Sequence, residues 1–391
     1  VSEGGGRADV VIVGGGIIGC GIAWHLARRG VSVTVVERDR PGGHATWAAA
    51  GMLSPLGETA SPGPFYDLVM ASFRRYDAFV EALEEATGIT VEYRESGKLC
   101  VALDESEAAE LTERHRWQRA AGHEVELLDA GEARRLEPAL APSVVAGLLI
   151  PRDRQVDNRR LGRALWVAAA RAGARFVLGD PVQSLWLDGP DGDPEGTGSA
   201  GGRVRGVALA SGTRIEAPCV VLAAGSWSGR IPYAGRTLPV SPVGGQLLAL
   251  ETVPPVLSRV IQATRCYLVP RADGRLLVGA TMERRGFSTR PTAGGVHGLL
   301  GSALRAVPGL ANAPVVELWA GLRPGTPDGL PILGSDPDVA GLVHATGHLR
   351  NGILLAPITA ELIADVVTGA TPALPLEPFR VDRFTVAADA S

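Results

Sequence analysis

Lysine is all but missing from this 391-residue chain: Lys98 stands alone among 38 basic residues, the rest being arginine. With alanine and glycine abundant, GC-rich coding explains that bias more simply than function does, so single surface arginines carry little weight. Cysteine is scarce as well. Cys20, Cys100, Cys219 and Cys266 are scattered with no C-x-x-C pair, which points to a reduced, cytoplasmic chain with buried thiols. No apolar run reaches transmembrane length and residues 1–7 carry no hydrophobic signal region, so that segment reads as a flexible tail and no membrane is expected. H-E-x-x-H, G-x-S-x-G and cysteine–histidine metal spacings are missing too. His344 and His348 are four apart, but they straddle a strand end and Gly347, so they read as structural histidines and no metal is expected. A net charge of −4 gives no reason to expect nucleic acid as a partner.

What is present is a globular composition, 46% hydrophobic and 20% charged, long enough for two domains. Its centre is the stretch from Asp9 to Glu37. Asp9 to Val13 reads as a strand buried on both faces, Ile17 to Arg29 as a helix closed by Gly30, and Val31 to Glu37 as the next parallel strand. Between strand and helix, Gly14 allows the tight turn, Gly16 lets backbone approach a pyrophosphate, and Gly19 lets helix and strand pack closely. The helix start at Ile17 and Ile18 offers free N–H groups to phosphates, and Glu37 ends the second strand where a carboxylate accepts ribose hydroxyls. This is a dinucleotide site; the motif alone does not choose between NAD and FAD.

Further along, Ala48-Ala49-Ala50-Gly51 is either a plain small-residue loop or a surface flat enough for a large ring. Helices are expected over Phe65 to Ala86, Ser106 to Ala121, Arg159 to Ala172 (with Asn158 as N-cap), Thr292 to Ala306 and Asn351 to Val367. Val91 to Tyr93 and Lys98 to Leu103 read as β-like pieces, Arg175 to Leu178 as a strand, and Cys219 to Ala223 as a second buried strand. Gly189 to Gly202 reads as a mobile surface loop, followed by a hairpin around Ser211-Gly212. From Val240 to Arg323 the strands Gln246 to Leu250, Cys266 to Val269, Leu276 to Met282 and Val315 to Leu322 suggest a mostly antiparallel second sheet.

Taken jointly, the fingerprint from Gly14 to Glu37, Ala48 to Leu53, Ala223 to Gly229, Cys266 to Arg271, Val278 to Met282, Trp319 to Thr326 and Gly347 to Leu355 resemble the FAD-dependent amine oxidases of the D-amino acid oxidase and sarcosine oxidase group, and within it the glycine oxidases of the thiamine pathway. The resemblance covers nearly the whole chain. It implies an α/β fold: a Rossmann-type FAD domain (1–86, 150–238 and 324–384) interleaved with an α+β substrate domain (87–149 and 239–323) on a mostly antiparallel sheet, with 385–391 as a tail. It also implies oxidation of glycine, sarcosine and small D-amino acids by hydride transfer from Cα to the flavin N5, with O2 as acceptor and hydrogen peroxide as product. The imine would pass to a thiazole synthase, and the chain would form a homo-oligomer such as a tetramer.

An oxidase of this kind must orient its substrate more than it needs an acid–base pair. The planar fork of Arg323 suits a carboxylate, and the family's arginine in the same A-G-L-R-P-G setting is the substrate clamp. Tyr267 either adds a hydrogen bond to that carboxylate or packs in the core; Arg350 either pairs with the carboxylate or caps backbone carbonyls. Met52 and Met282 are pocket walls or ordinary core. The final helix, entered through His348, Asn351, Gly352, Ile353 and Leu354, would turn its positive end to the flavin. The resemblance adds Arg38, Thr46, Ala49, Ala50, Gly51, Val182, Ala224, Gly225 and Trp227 to the cofactor set. No cysteine follows Arg323 within Asp328 to Leu333, so FAD would be held non-covalently. Arg265 stands where the better-known glycine oxidases carry histidine, an added cation near the mouth that leaves substrate preference open. Oxidases or dehydrogenases of larger D-amino acids or N-methyl amines, and a flavin-binding redox sensor, are the alternatives.

Overall fold

Val10–Val13 is buried at every position because it lies in the middle of a sheet with strands on both sides. The computed structural model describes residues 6–188 and 202–384; apart from Gly202, the expected loop at 189–202 lies outside them. The first sheet runs Ile332–Ser335, Leu342–Thr346, Cys219–Leu222, Val10–Val13, Val33–Glu37, Arg175–Leu178. It is parallel throughout except for the Ile332–Ser335 edge. A parallel sheet must be covered on its faces. Six helices of twelve or more residues are described: α1 (Ile17–Arg28), α2 (Pro64–Thr87), α3 (Glu105–Ala120), α4 (Asn158–Arg171), α5 (Ala293–Ala306) and α6 (Gly352–Thr368). Helices α1, α2, α4 and α6 pack on one another and on this sheet around Ile22, Leu26, Leu161, Leu165 and Ile358.

The second sheet has eight strands, ordered Val315–Gly325, Ser241–Glu251, Arg275–Gly279, Cys266–Pro270, Val260–Ala263, Lys98–Ala102, Ala146–Ile150, Glu126–Asp129. All its pairings are antiparallel except that between Val260–Ala263 and Lys98–Ala102. Alternation sorts its faces. Leu99, Ile261, Leu268, Val278 and Leu248 pack in the core that contains Leu299 and Ala303 of α5. Cys100, Gln262, Tyr267 and Gly279, one residue on or back along each strand, face the other way. The result is an α/β fold with a Rossmann-type sheet and a mostly antiparallel second sheet.

Local expectations shift in three places. Val91 to Tyr93 is no strand: Glu92 adopts φ 54° and the Val91 N–H donates to the Glu84 carboxylate at 2.7 Å, so pairing begins only at Arg94–Glu95. Asn158 is not the cap of α4. Asp157 is, its carboxylate accepting from the N–H groups of Arg159 and Arg160 at 2.9 and 3.0 Å, which frees the Asn158 amide for another use. The Leu276 to Met282 strand stops at Gly279.

Candidate active site

The glycine turn is shaped by close approach. At Gly14, with φ 107°, a Cβ would stand 2.5 Å from the Ala223 carbonyl oxygen; at Gly19 it would stand 1.9 Å from that of Gly14. Helix α1 therefore starts directly against the sheet. Its Gly16 start has no capping side chain, although Thr46 Oγ1 accepts from the Ile17 N–H at 3.0 Å. Buried Glu37 accepts from Gly15 N–H at 2.8 Å and from Asp39 N–H at 2.9 Å. Helix α6 likewise starts without a side-chain cap, so the N–H groups of Gly352, Ile353 and Leu354 lack the partners an N-cap would give. Both helix starts line one cavity of about 750 Å³.

The second sheet forms the cavity's other wall. Arg323 projects from Val315–Gly325, its Nη1 donating to the carbonyl oxygens of Gly244 at 3.2 Å and Thr281 at 3.0 Å. The guanidinium lies over Gly245, where a Cβ would come within 2.4 Å of it. It has no carboxylate partner among the described residues. The Tyr267 phenol lies in the field of the Arg323 guanidinium, and its ring fills the space over Gly279, where a Cβ would meet the phenol oxygen at 2.6 Å. Burial pushes the Tyr267 phenol up from its ordinary range, and the Arg323 cation pulls it partly back. Met52 and Met282 line the same space, Met282 at the rim with 57% of its surface exposed. Arg350 binds neither a backbone carbonyl nor the clamp; its Nε donates to Glu58 at 2.6 Å, and half the side chain is exposed.

The family model for FAD-dependent oxidoreductases matches residues 9–366. The chain belongs to that family. It is 39% identical to the glycine oxidase of Geobacillus kaustophilus over 380 residues, 96% of this chain and 97% of that protein. A solved glycine oxidase from the same organism superposes with a TM-score of 0.89 at 38% identity, covering 97% of this chain and 99% of that one. The bifunctional protein ThiO/ThiG of Synechocystis is 39% identical over 96% of this chain, which spans 54% of its length. The iminodiacetate oxidase of Chelativorans sp. BNC1 superposes with a TM-score of 0.85 at 31% identity, covering 95% and 98%. This is an FAD-dependent amino acid oxidase of the glycine oxidase type.

The residues of this FAD-dependent oxidoreductase fit its cofactor. Two uncapped helix starts supply donors for anionic groups, Glu37 is fixed at the strand end, and Ala48, Ala49, Ala50 and Gly51 leave a wall without side-chain bulk. Of the expected cofactor residues, Gly16, Ile17, Ile18, Thr46, Ala49, Ala50, Gly51, Met52, Gly225, Arg323, His348, Arg350, Asn351, Gly352, Ile353 and Leu354 line the cavity. Gly14, Gly19, Glu37, Arg38, Val182, Ala224 and Trp227 do not. The Arg38 guanidinium lies 4.5 Å over the Trp227 ring, and Val182 pairs with Leu209 in a separate three-stranded sheet. Glu37, Asp39 and His44 gather ligand atoms within 4.8 Å, but each Glu37 oxygen already accepts a backbone N–H.

Several contributors were not legible as such. Buried Arg271 donates to Val156 O at 2.7 Å, Ala50 O at 2.8 Å and Asn158 Oδ1 at 2.9 Å, and burial pushes its pKa down to about 10. Asn158 donates to Thr46 O and Trp47 O, and Trp319 Nε1 to Ala48 O at 3.0 Å. These side chains hold the alanine wall in place. Lys98 lies buried in the cavity wall, its Nζ 3.2 Å from Asp153 Oδ2, with the Ser54 hydroxyl bonded to both. Burial raises the Asp153 carboxyl, with Lys98 pulling it down. Their signal in sequence is weak, since 44 residues separate Ser54 from Lys98 and 99 separate it from Asp153. His344 pairs with Asp336 at 2.9 Å and His348 with Thr359 at 3.1 Å, as structural histidines do.

Proposed function

We propose that this protein oxidises glycine, sarcosine and small D-amino acids to the imine, with O2 as acceptor and hydrogen peroxide as product. The observation that carries this is the Arg323–Tyr267 pair, a guanidinium and a phenol side by side in the cavity wall, with no acid of the protein on the guanidinium. Arg323 holds the substrate carboxylate through two parallel hydrogen bonds, and the Tyr267 hydroxyl donates a third. Met52 and Met282 supply apolar walls to the same space. The starts of α1 and α6 would hold FAD non-covalently, and the bound flavin would supply the two-electron acceptor. The uncapped start of α6 would offer positive potential to the negative charge of a reduced flavin.

On this reading residues 1–86, 150–238 and 324–384 carry the cofactor, and 87–149 and 239–323 the substrate. Likeness to a bifunctional ThiO/ThiG protein supports delivery of the imine to a thiazole synthase, and the family favours a homo-oligomer. The test is peroxide release from glycine, sarcosine, D-alanine and D-proline by purified yellow protein. Glycine or sarcosine should lead; D-proline alone would move the reading to larger amines. Arg323→Ala should raise KM by about a hundredfold with flavin still bound, as expected for losing a charged bidentate contact.

A further inference from the structure

The cavity continues past Tyr267. Gly279, Tyr267, Gln262 and Cys100 stand opposite one another on successive strands, so they form one row across the cavity face. With strands about 4.8 Å apart, Cys100 lies roughly 10 Å from Tyr267 along that row. Helix α3 crosses this end of the sheet. Its Glu107, Glu110, Leu111 and Arg114, at helical spacing, all line the cavity. So does Arg265, from the turn after Val260–Ala263.

The charges here are unevenly matched. Elsewhere in the cavity wall buried Lys98 is paired with Asp153, and half-exposed Arg350 with Glu58. Half-buried Arg114 has Cys100 Sγ as its partner, at 3.7 Å, and thiol sulfur is a weak acceptor. Glu107 accepts from the Leu103 N–H at 2.8 Å. Glu110, one turn from Arg114, makes no ion pair with it. Arg265 is exposed and also lacks an acidic partner among the described residues. Neither guanidinium at this end of the cavity makes an ion pair; the buried Asp153 carboxylate feels the charge of Arg114 but is already paired with Lys98, and a partly desolvated cation such as Arg114 favours an incoming anion.

We infer that Arg114 and Arg265 form a second anion site, and that the enzyme takes amino acids carrying a second carboxylate on a flexible arm. This rests on the proposed role of Arg323, which holds the first carboxylate at the far end. The span along the sheet calls for an arm of several methylenes, attached either to the amine, as in N-(3-carboxypropyl)glycine, or to Cα, as in D-2-aminoadipate.

The test compares kcat/KM of the holoenzyme for each dicarboxylate with that for its uncharged isostere, N-butylglycine or D-norleucine. At least one pair should favour the dicarboxylate by roughly tenfold, the worth of one charge-assisted contact. Arg114→Gln and Arg265→Gln should each bring that ratio toward one. Because the ratio is taken within one enzyme, loss of fold or flavin cancels, and Arg265 lies in an exposed turn. The pair that shows the preference identifies the point of attachment. Ratios near one in both pairs, with glycine or sarcosine still turned over, would overturn the second site and leave the oxidase reading standing. A preference that survives both substitutions would overturn it as well. No turnover of any amine would instead overturn the oxidase reading beneath it.

Discussion

Gly245 has little freedom to change, because the Arg323 guanidinium occupies the place its side chain would take. Gly245→Ala should displace the guanidinium while leaving the flavin wall untouched. The expected outcome is a rise in KM for glycine of about tenfold or more with normal flavin content, read by steady-state kinetics and the visible spectrum. Tyr267→Phe removes one donor but keeps the ring over Gly279, so kcat/KM should fall by roughly tenfold. Arg323 and Tyr267 could be nominated from the sequence because each lies in a short local motif. Arg350 could be placed beside the active site but not paired, since its partner Glu58 is 292 residues away. Lys98, Ser54 and Asp153 give no such cue: only the folded chain brings a lone lysine against an aspartate and a serine in a cavity wall.

At the scale of elements, the alanine wall depends on groups outside itself. Arg271→Met would strip partners from Ala50 O, Val156 O and Asn158 together, and should lower stability by about 3 kcal/mol, seen in thermal melts of the holoprotein. Asp157→Ala should cost about 1 kcal/mol as a lost helix cap, whereas Asn158→Ala should loosen the wall and weaken flavin retention. The sequence supports both assignments poorly, because Asp157 and Asn158 are equally good caps and only the call of Thr46 O and Trp47 O on the amide separates them. The strand–turn–helix fingerprint was legible for the opposite reason. Its glycine spacing, apolar run and terminal acid all fall within thirty residues, and every requirement is local.

For the whole molecule, acid should be destabilising in a specific window. Burial pushes His348 down to about 3, and burial with nearby Arg29 pushes His25 down to about 4, from an ordinary 6.5. Both are neutral when folded but take up protons when unfolded, so the stability they contribute is complete above pH 6.5 and is lost progressively as pH falls toward 3–4. At pH 5 the loss from His348 alone is at most about 2 kcal/mol. Melting temperature should therefore fall steadily below pH 6.5, and His348→Gln should flatten part of that slope. A pH-independent melt from 7 to 5 would contradict the burial of these rings. The meeting of α1, which begins at residue 17, with α6, which begins at residue 352, has a consequence for biosynthesis. Neither helix can assemble the binding cleft by itself, so a ribosome-bound chain stays colourless until α6 has emerged, and yellow colour marks the arrival of that helix.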